Sequence, residues 1–214
     1  MEMDVPTSLA DGISYCIVDG TAIFLDLHRD RYIAARADLL PSAGSAACGM
    51  VLRDRRLVTG NGSADDSVAP ACVQIATKEL SRGRFSSRAT EAFMAMMDTL
   101  LVERRLGRSG LAAAVSHLEL DRRRRVFRID ADWSEYESAL APFLAIDRLR
   151  DQTVSCLTRS LAIHRALSRR SLPATLVIGV KLGPFAAHAW LQHGNVVLTD
   201  LLERTGTYRP IASF

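Results

Sequence analysis

Lysine is nearly absent: of 27 lysines and arginines only Lys78 and Lys181 are lysine, and they follow Thr77 and Val180 instead of glycine. A Walker-type phosphate loop, in which a lysine follows glycine, is therefore excluded. The 24 acidic residues leave a net charge of +3, too small a surplus to read as a nucleic-acid-binding surface. Cysteine is also scarce, with four residues, Cys16, Cys48, Cys72 and Cys156, and no CxxC pair. Neither a zinc site of the usual spacing nor any other metal centre is expected. The first fifteen residues carry Glu2, Asp4 and Asp11 and lack the basic start and apolar core of a signal peptide, which points to the cytoplasm and to reduced thiols. Long apolar runs are missing too. The longest uncharged stretch, Leu182 to Thr199, contains Gly183, Pro184, His188, Gln192, His193 and Asn195, so no membrane span is expected.

What remains is an ordinary globular composition, 214 residues with 48% hydrophobic residues, enough chain for two domains. Ile13 to Val18 and Thr21 to Leu27 are rich in β-branched and aromatic residues and flank Asp19-Gly20, a dipeptide suited to a type I′ turn. With Tyr32 to Ala35 they predict a three-stranded antiparallel meander. Pro41 suits the first turn of a helix over Ser42 to Leu52, and Pro70 that of another carrying Val73, Ala76, Thr77 and Leu80 on one face. Ser81 to Arg84 closes this part, placing a boundary between a domain at 1–83 and one at 84–214.

Beyond it, Phe93, Met96, Met97, Leu100 and Leu101 form an apolar stripe read as core, and Leu111 to His117 continues in helix. Arg122 to Arg125 reads as a solvated face. Trp133 to Leu149 is helical with an interruption near Pro142. Cys156 to Arg170 carries Leu157, Leu161, His164 and Leu167 on one face, with Ser155 or Thr153 as its cap. Strands follow over Thr175 to Val180, Phe185 to Gln192 and Val196 to Leu201. The fold class is α+β, with helices first and an antiparallel sheet last in the C-terminal domain.

Cys156 opens a helix, where unpaired amides and the dipole favour a thiolate. Cys16, Cys48 and Cys72 read as inert core thiols. A thiolate nucleophile needs a histidine and a group to orient it, and His188 and Asp200 are the candidates. A two-residue Gly194-Asn195 turn would pair His193 with Val196 and point His188 and Asp200 to opposite faces, so that no triad would form. A three-residue loop with Asn195 left-handed would set them opposite one another. Sequence permits either. His193, five positions from His188, points away from it; His164 reads as packed, and His28 and His117 as surface residues. Gln152 is a candidate oxyanion donor.

The segments Ser155-Cys156-Leu157-Thr158-Arg159-Ser160-Leu161-Ala162-Ile163-His164, Leu172 to Val180, Phe185-Ala186-Ala187-His188-Ala189-Trp190 and Val197-Leu198-Thr199-Asp200 resemble the B proteins of lasso-peptide maturation. Ala22 to Ile33, with Leu-Asp before the turn and an aromatic after it, resembles the winged-helix-like leader-recognition domain, similar to the pyrroloquinoline-quinone peptide chaperone, that many of them carry. The resemblance implies a transglutaminase- or papain-like cysteine peptidase with Cys156, His188 and Asp200 as its catalytic residues and no cofactor. It implies that the precursor's leader binds as a strand beside Tyr32, Ile33, Ala34 and Ala35 and is cut from the core. An asparagine-synthetase-like cyclase, the user of ATP, is then the partner. The alternatives are an acyl-transferring enzyme of the same chemistry and a non-catalytic module that presents the leader.

Overall fold

In the computed structural model, residues 8–36, 58–59, 73–81, 87–128, 130–149 and 154–214 are described. The expected helix over Ser42 to Leu52, and with it the winged-helix detail, lies outside them, as do Cys48, Cys72 and Gln152.

The meander forms as its sequence requires. β2 (Ile13–Val18), β3 (Thr21–Asp26) and β4 (Arg31–Arg36) are antiparallel in the order β2-β3-β4. Asp19 and Gly20 take φ of 47° and 71°, the two left-handed positions of a type I′ turn. The six-pair ladder from Val18↔Thr21 to Ile13↔Asp26 stacks Tyr15 on Phe24, with ring centroids 5.4 Å apart. β3 is covered on both sides: Ala22 and Phe24 join Tyr15 and Ile33, while Ile23 and Leu25 join Cys16 in the main core. Asp26, 1% exposed, ends β3 by accepting from the Arg29 amide at 3.1 Å and from the Arg29 and Arg31 guanidiniums. Burial raises its pKa, but the hydrogen bonds from Arg29 and Arg31 outweigh that and leave it lowered. The Leu-Asp of the motif is thus a turn anchor. β1 (Ser8–Leu9) pairs with β5 (Val58–Thr59) beside this sheet.

A second sheet has the order β10-β7-β8-β9-β6, with β6 (Lys78–Glu79), β7 (Thr175–Lys181), β8 (Ala186–His193), β9 (Val196–Val197) and β10 (Arg209–Ser213). The helix expected after Pro70 is corrected here: Val73 to Thr77 are irregular and Lys78–Glu79 pair parallel with β9. The Thr77 and Lys78 amides donate to the Asn195 carbonyl at 2.8 and 3.1 Å, so an open sheet edge overrode four residues at helical spacing. β10 and the one-turn helix α4 (Leu202–Thr205) extend the chain past the strands expected from the sequence.

The helices are α1 (Ala89–Arg124), α2 (Trp133–Leu149) and α3 (Cys156–Arg169). α1 kinks at Gly110 (φ 72°), and α2 runs through Pro142 without the expected break. A larger correction concerns the apolar stripe of α1. Phe93, Met96, Leu100 and Leu101 are exposed and Met97 is half-buried, while the buried residues of this stretch are Ala95, Asp98 and Thr99. Asp98, 4% exposed, receives the Arg165 guanidinium at 3.1 Å and a two-pronged Arg169 from α3. That charge pairing fastens the inward face of α1 to α3. Behind it, α3 packs Leu161, Ile163 and Leu167 into a core shared with Leu111 and Val115 of α1, Tyr136 and Phe143 of α2, Leu176 and Ile178 of β7 and the inner face of the meander. No helix among the described residues is long and apolar enough to cross a membrane.

Candidate active site

Ser155 caps α3 by accepting from the Thr158 amide at 3.1 Å, which sets Cys156 as the first helical residue. β8 packs against this helix start, and the Ser160 hydroxyl ties the two by donating to the Ala189 carbonyl at 3.1 Å. His188 of β8 thereby meets the Cys156 thiol, and its Nε2 is hydrogen-bonded to an Asp200 carboxylate oxygen. With Nε2 taken, Nδ1 is the nitrogen left for sulfur.

The protons follow from this arrangement. Burial pushes the Cys156 thiol up, but the His188 hydrogen bond, the Ala189 and Leu157 amides and the His188 charge together leave its pKa lowered. Burial pushes His188 down, yet hydrogen bonds to Asp200 and Cys156 and their charges raise it to about 9. Asp200, also desolvated, is held below the usual carboxylate range by His188, by the Leu201 amide at 2.8 Å and by nearby Arg204. Both shifts favour the thiolate–imidazolium pair over the neutral one. Cys16 shows the opposite environment, buried in the core with its pKa raised to about 11 by desolvation, against a smaller lowering by Arg209.

The turn preceding Asp200 has two residues, so the three-residue loop is corrected. His193 faces Val196 and Gln192 faces Val197, and the positive φ of 55° falls on Gly194, not on Asn195. Glycine suits that first central position. A continued ladder would point Asp200 away from His188. It does not continue, because the chain bends over Leu198 to Asp200. The Thr199 hydroxyl accepts from the Leu191 amide at 2.9 Å, where the ladder would have used backbone, and the Thr199 carbonyl accepts from Arg159 at 2.7 Å. Arg159 is itself held by Asp147 at 2.8 Å. The bend swings Asp200 onto His188.

Sequence reading missed the rings that hold the imidazole. His188 lies against Tyr208 (centroids 5.1 Å) and Trp190 (6.1 Å), and Lys181 covers Tyr208 at 4.8 Å. Gly179, across the ladder from His188, makes room: a Cβ there would meet Trp190 at 2.8 Å and Tyr208 at 2.9 Å. A lone glycine inside Leu176 to Val180 was the available signal of close approach. The other histidines stay apart from this group. His164 is 5% exposed and pushed to about 4 by burial, His193 stacks on Tyr136, and His28 and His117 are exposed. Among the described residues no group of three or more His, Cys, Asp or Glu side chains could hold a metal.

Tyr32, named from the sequence for leader binding, also lies here. Its ring meets Phe185 at 5.3 Å, and burial, then the Asp30 and Cys156 charges, raise its phenol to about 12. In the rest of the named strand, Ile33 is buried, Ala35 half-buried and Ala34 exposed.

A helix-start thiol facing a strand-borne histidine and a following aspartate is an arrangement for acyl transfer through a thioester. A family model described as the transglutaminase-like superfamily matches residues 97–213, more than half of the 214 residues, and the chain belongs to that superfamily. It is also similar to the microcin J25-processing protein McjB of Escherichia coli, 47% identical over 45 residues, which are 21% of this chain and 22% of that protein. The chain thus matches well under two thirds of that relative's length. No solved structure matches.

Proposed function

We propose that the chain is a cysteine endopeptidase of lasso-peptide maturation that cuts the leader from a ribosomally made precursor. Cys156 at the start of α3, coupled to a His188 that is itself hydrogen-bonded to Asp200, carries this reading. The likeness to a microcin-processing protein supports a peptide as substrate.

In the reaction so read, the Cys156 thiolate attacks the scissile carbonyl, forming the carbon–sulfur bond while the carbonyl electron pair moves onto oxygen. Backbone amides at the start of α3 would be the donors nearest in the chain to that developing charge. His188 passes its proton to the leaving amine as the carbon–nitrogen bond breaks. It then takes a proton from the water that opens the thioester and returns the thiolate. Asp200 stays ionised and holds the imidazole by Nε2. No step calls for a metal or nucleotide, so ATP belongs to the asparagine-synthetase-like cyclase that would receive the freed core.

In the same proposal, residues 1–83 recognise the leader and 84–214 cut it, in the cytoplasm. β4 is an outer strand of its sheet, and an extended leader beside Tyr32, Ile33, Ala34 and Ala35 would add to it through backbone hydrogen bonds.

Mass spectrometry of a candidate precursor incubated with the wild-type chain and with Cys156→Ala, with and without ATP, tests the reading. One cut at the leader–core junction, indifferent to ATP and lost in the variant, is expected. Incorporation of an added amine at that carbonyl would make the protein a transferase, and a precursor that binds but stays whole would make it a presenting module.

A further inference from the structure

We propose that Tyr32 and Phe185 form the wall of a subsite for an apolar leader side chain next to the scissile bond, so that β4 helps select what Cys156 cuts. This rests on the peptidase reading above. The two rings come from opposite ends of the chain. Tyr32 is the second residue of β4, and Phe185 sits in the turn just before β8, three residues ahead of His188. Their centroids are 5.3 Å apart at 61°, an edge-to-face pair. Tyr32, Cys156 and Leu157 each pack on the main core, and the Cys156 charge reaches the Tyr32 phenol. Phe185 remains 48% exposed. An aromatic pair half-open beside a nucleophile offers ring faces and edges but no counter-charge. Methyl-bearing side chains gain by covering it, and a charged side chain would lose hydration there without a partner.

Its location joins the two tasks. A leader lying along β4 with its C-terminal end toward Arg31 would pass over Tyr32 before reaching Cys156, so residues bordering the cut would meet the Tyr32–Phe185 wall.

The probes are acetyl-Val-Gly, acetyl-Gly-Val and acetyl-Gly-Gly chloromethyl ketones, with iodoacetamide as a reagent too small to use the subsite. Labelling of Cys156 in the full chain is followed by peptide mass mapping. One valine ketone should outpace the Gly-Gly ketone roughly tenfold, the scale of a small apolar contact. Phe185→Ala should erase most of that preference while leaving the iodoacetamide rate unchanged; Tyr32→Ala should erase it as well, and Tyr32→Phe should keep it. Should Tyr32→Ala fail to fold, the half-exposed Phe185 still provides the test. An unchanged preference in Phe185→Ala and in a folded Tyr32→Ala, with Cys156 still rapidly alkylated, overturns the subsite alone. If iodoacetamide labels Cys156 no faster than Cys16 and His188→Ala changes nothing, the thiol is not activated and both readings fall.

Discussion

The two hairpins begin alike and end differently. β2 and β3 leave Asp19-Gly20 and stay paired for six residue pairs, whereas β8 and β9 leave Gly194-Asn195 and part after two. Each is followed by an aspartate near its strand end, Asp26 in the first case and Asp200 in the second. Asp26 accepts the Arg29 amide and two guanidiniums and closes a turn; Asp200 accepts an imidazole. The same side chain thus serves as an anchor or as a site residue according to where the ladder stops. In the second hairpin Thr199 stops it, by giving the Leu191 amide a hydroxyl in place of a backbone carbonyl.

If that contrast is right, substitutions after the two hairpins should separate into effects on cleavage and effects on stability. The largest effect is expected for Asp200→Asn, which should slow cleavage by about 10²–10⁴-fold without unfolding, short of the complete loss in Cys156→Ala. Its pH profile carries a sign. His188 must be protonated to supply the leaving amine, so wild-type cleavage should fall on the alkaline side at about 9. Without the Asp200 charge that limb should move down toward the ordinary histidine range; a limb that stays put would separate Asp200 from the imidazole.

Asp26→Asn comes next and should behave oppositely. Losing a buried carboxylate's charge-assisted bonds should cost about 2 kcal/mol in urea melts, while cleavage per folded molecule is unchanged. Thr199→Val should do some of each: about 1 kcal/mol of stability from the unpaired Leu191 amide, and slower cleavage as the bend loosens. Full activity in that variant would show that Arg159 alone holds the bend. Smallest is Gly20→Ala, which places a side chain at φ 71° and should cost about 1 kcal/mol with no change in Cys156 alkylation.

A pair of helices shows where sequence reading stopped. Both α1 and α3 carry apolar residues at helical spacing, and both are helices. In α3 the stripe is core, with Leu161 and Leu167 at 4% and 0% exposed; in α1 Phe93 and Leu100 stand at 56% and 38%. Periodicity reports that one side of a helix differs from the other, not which side meets the protein. The inward face of α1 carries Asp98, whose partners Arg165 and Arg169 lie on another helix. Tyr208 and Gly179 escaped notice for a related reason. Their common partner, His188, is distant in the chain, and no local pattern joins them.

The sequence by itself determined the hairpin at Asp19-Gly20, the extent of α3 and the strand that carries His188, because each depends on backbone preferences within a few residues. It also singled out Cys156, His188 and Asp200 by their local motifs. Only the tertiary structure decided that a two-residue turn would still bring Asp200 to His188, that Lys78 and Glu79 would be strand, and that Tyr32 would lie by the thiol. Those outcomes depend on partners far along the chain: Arg159 and Asp147 for the bend, the open edge of β9 for the strand, Phe185 for the tyrosine. A local pattern cannot name its distant partner, and in this protein the geometry around Cys156 is built from such partners.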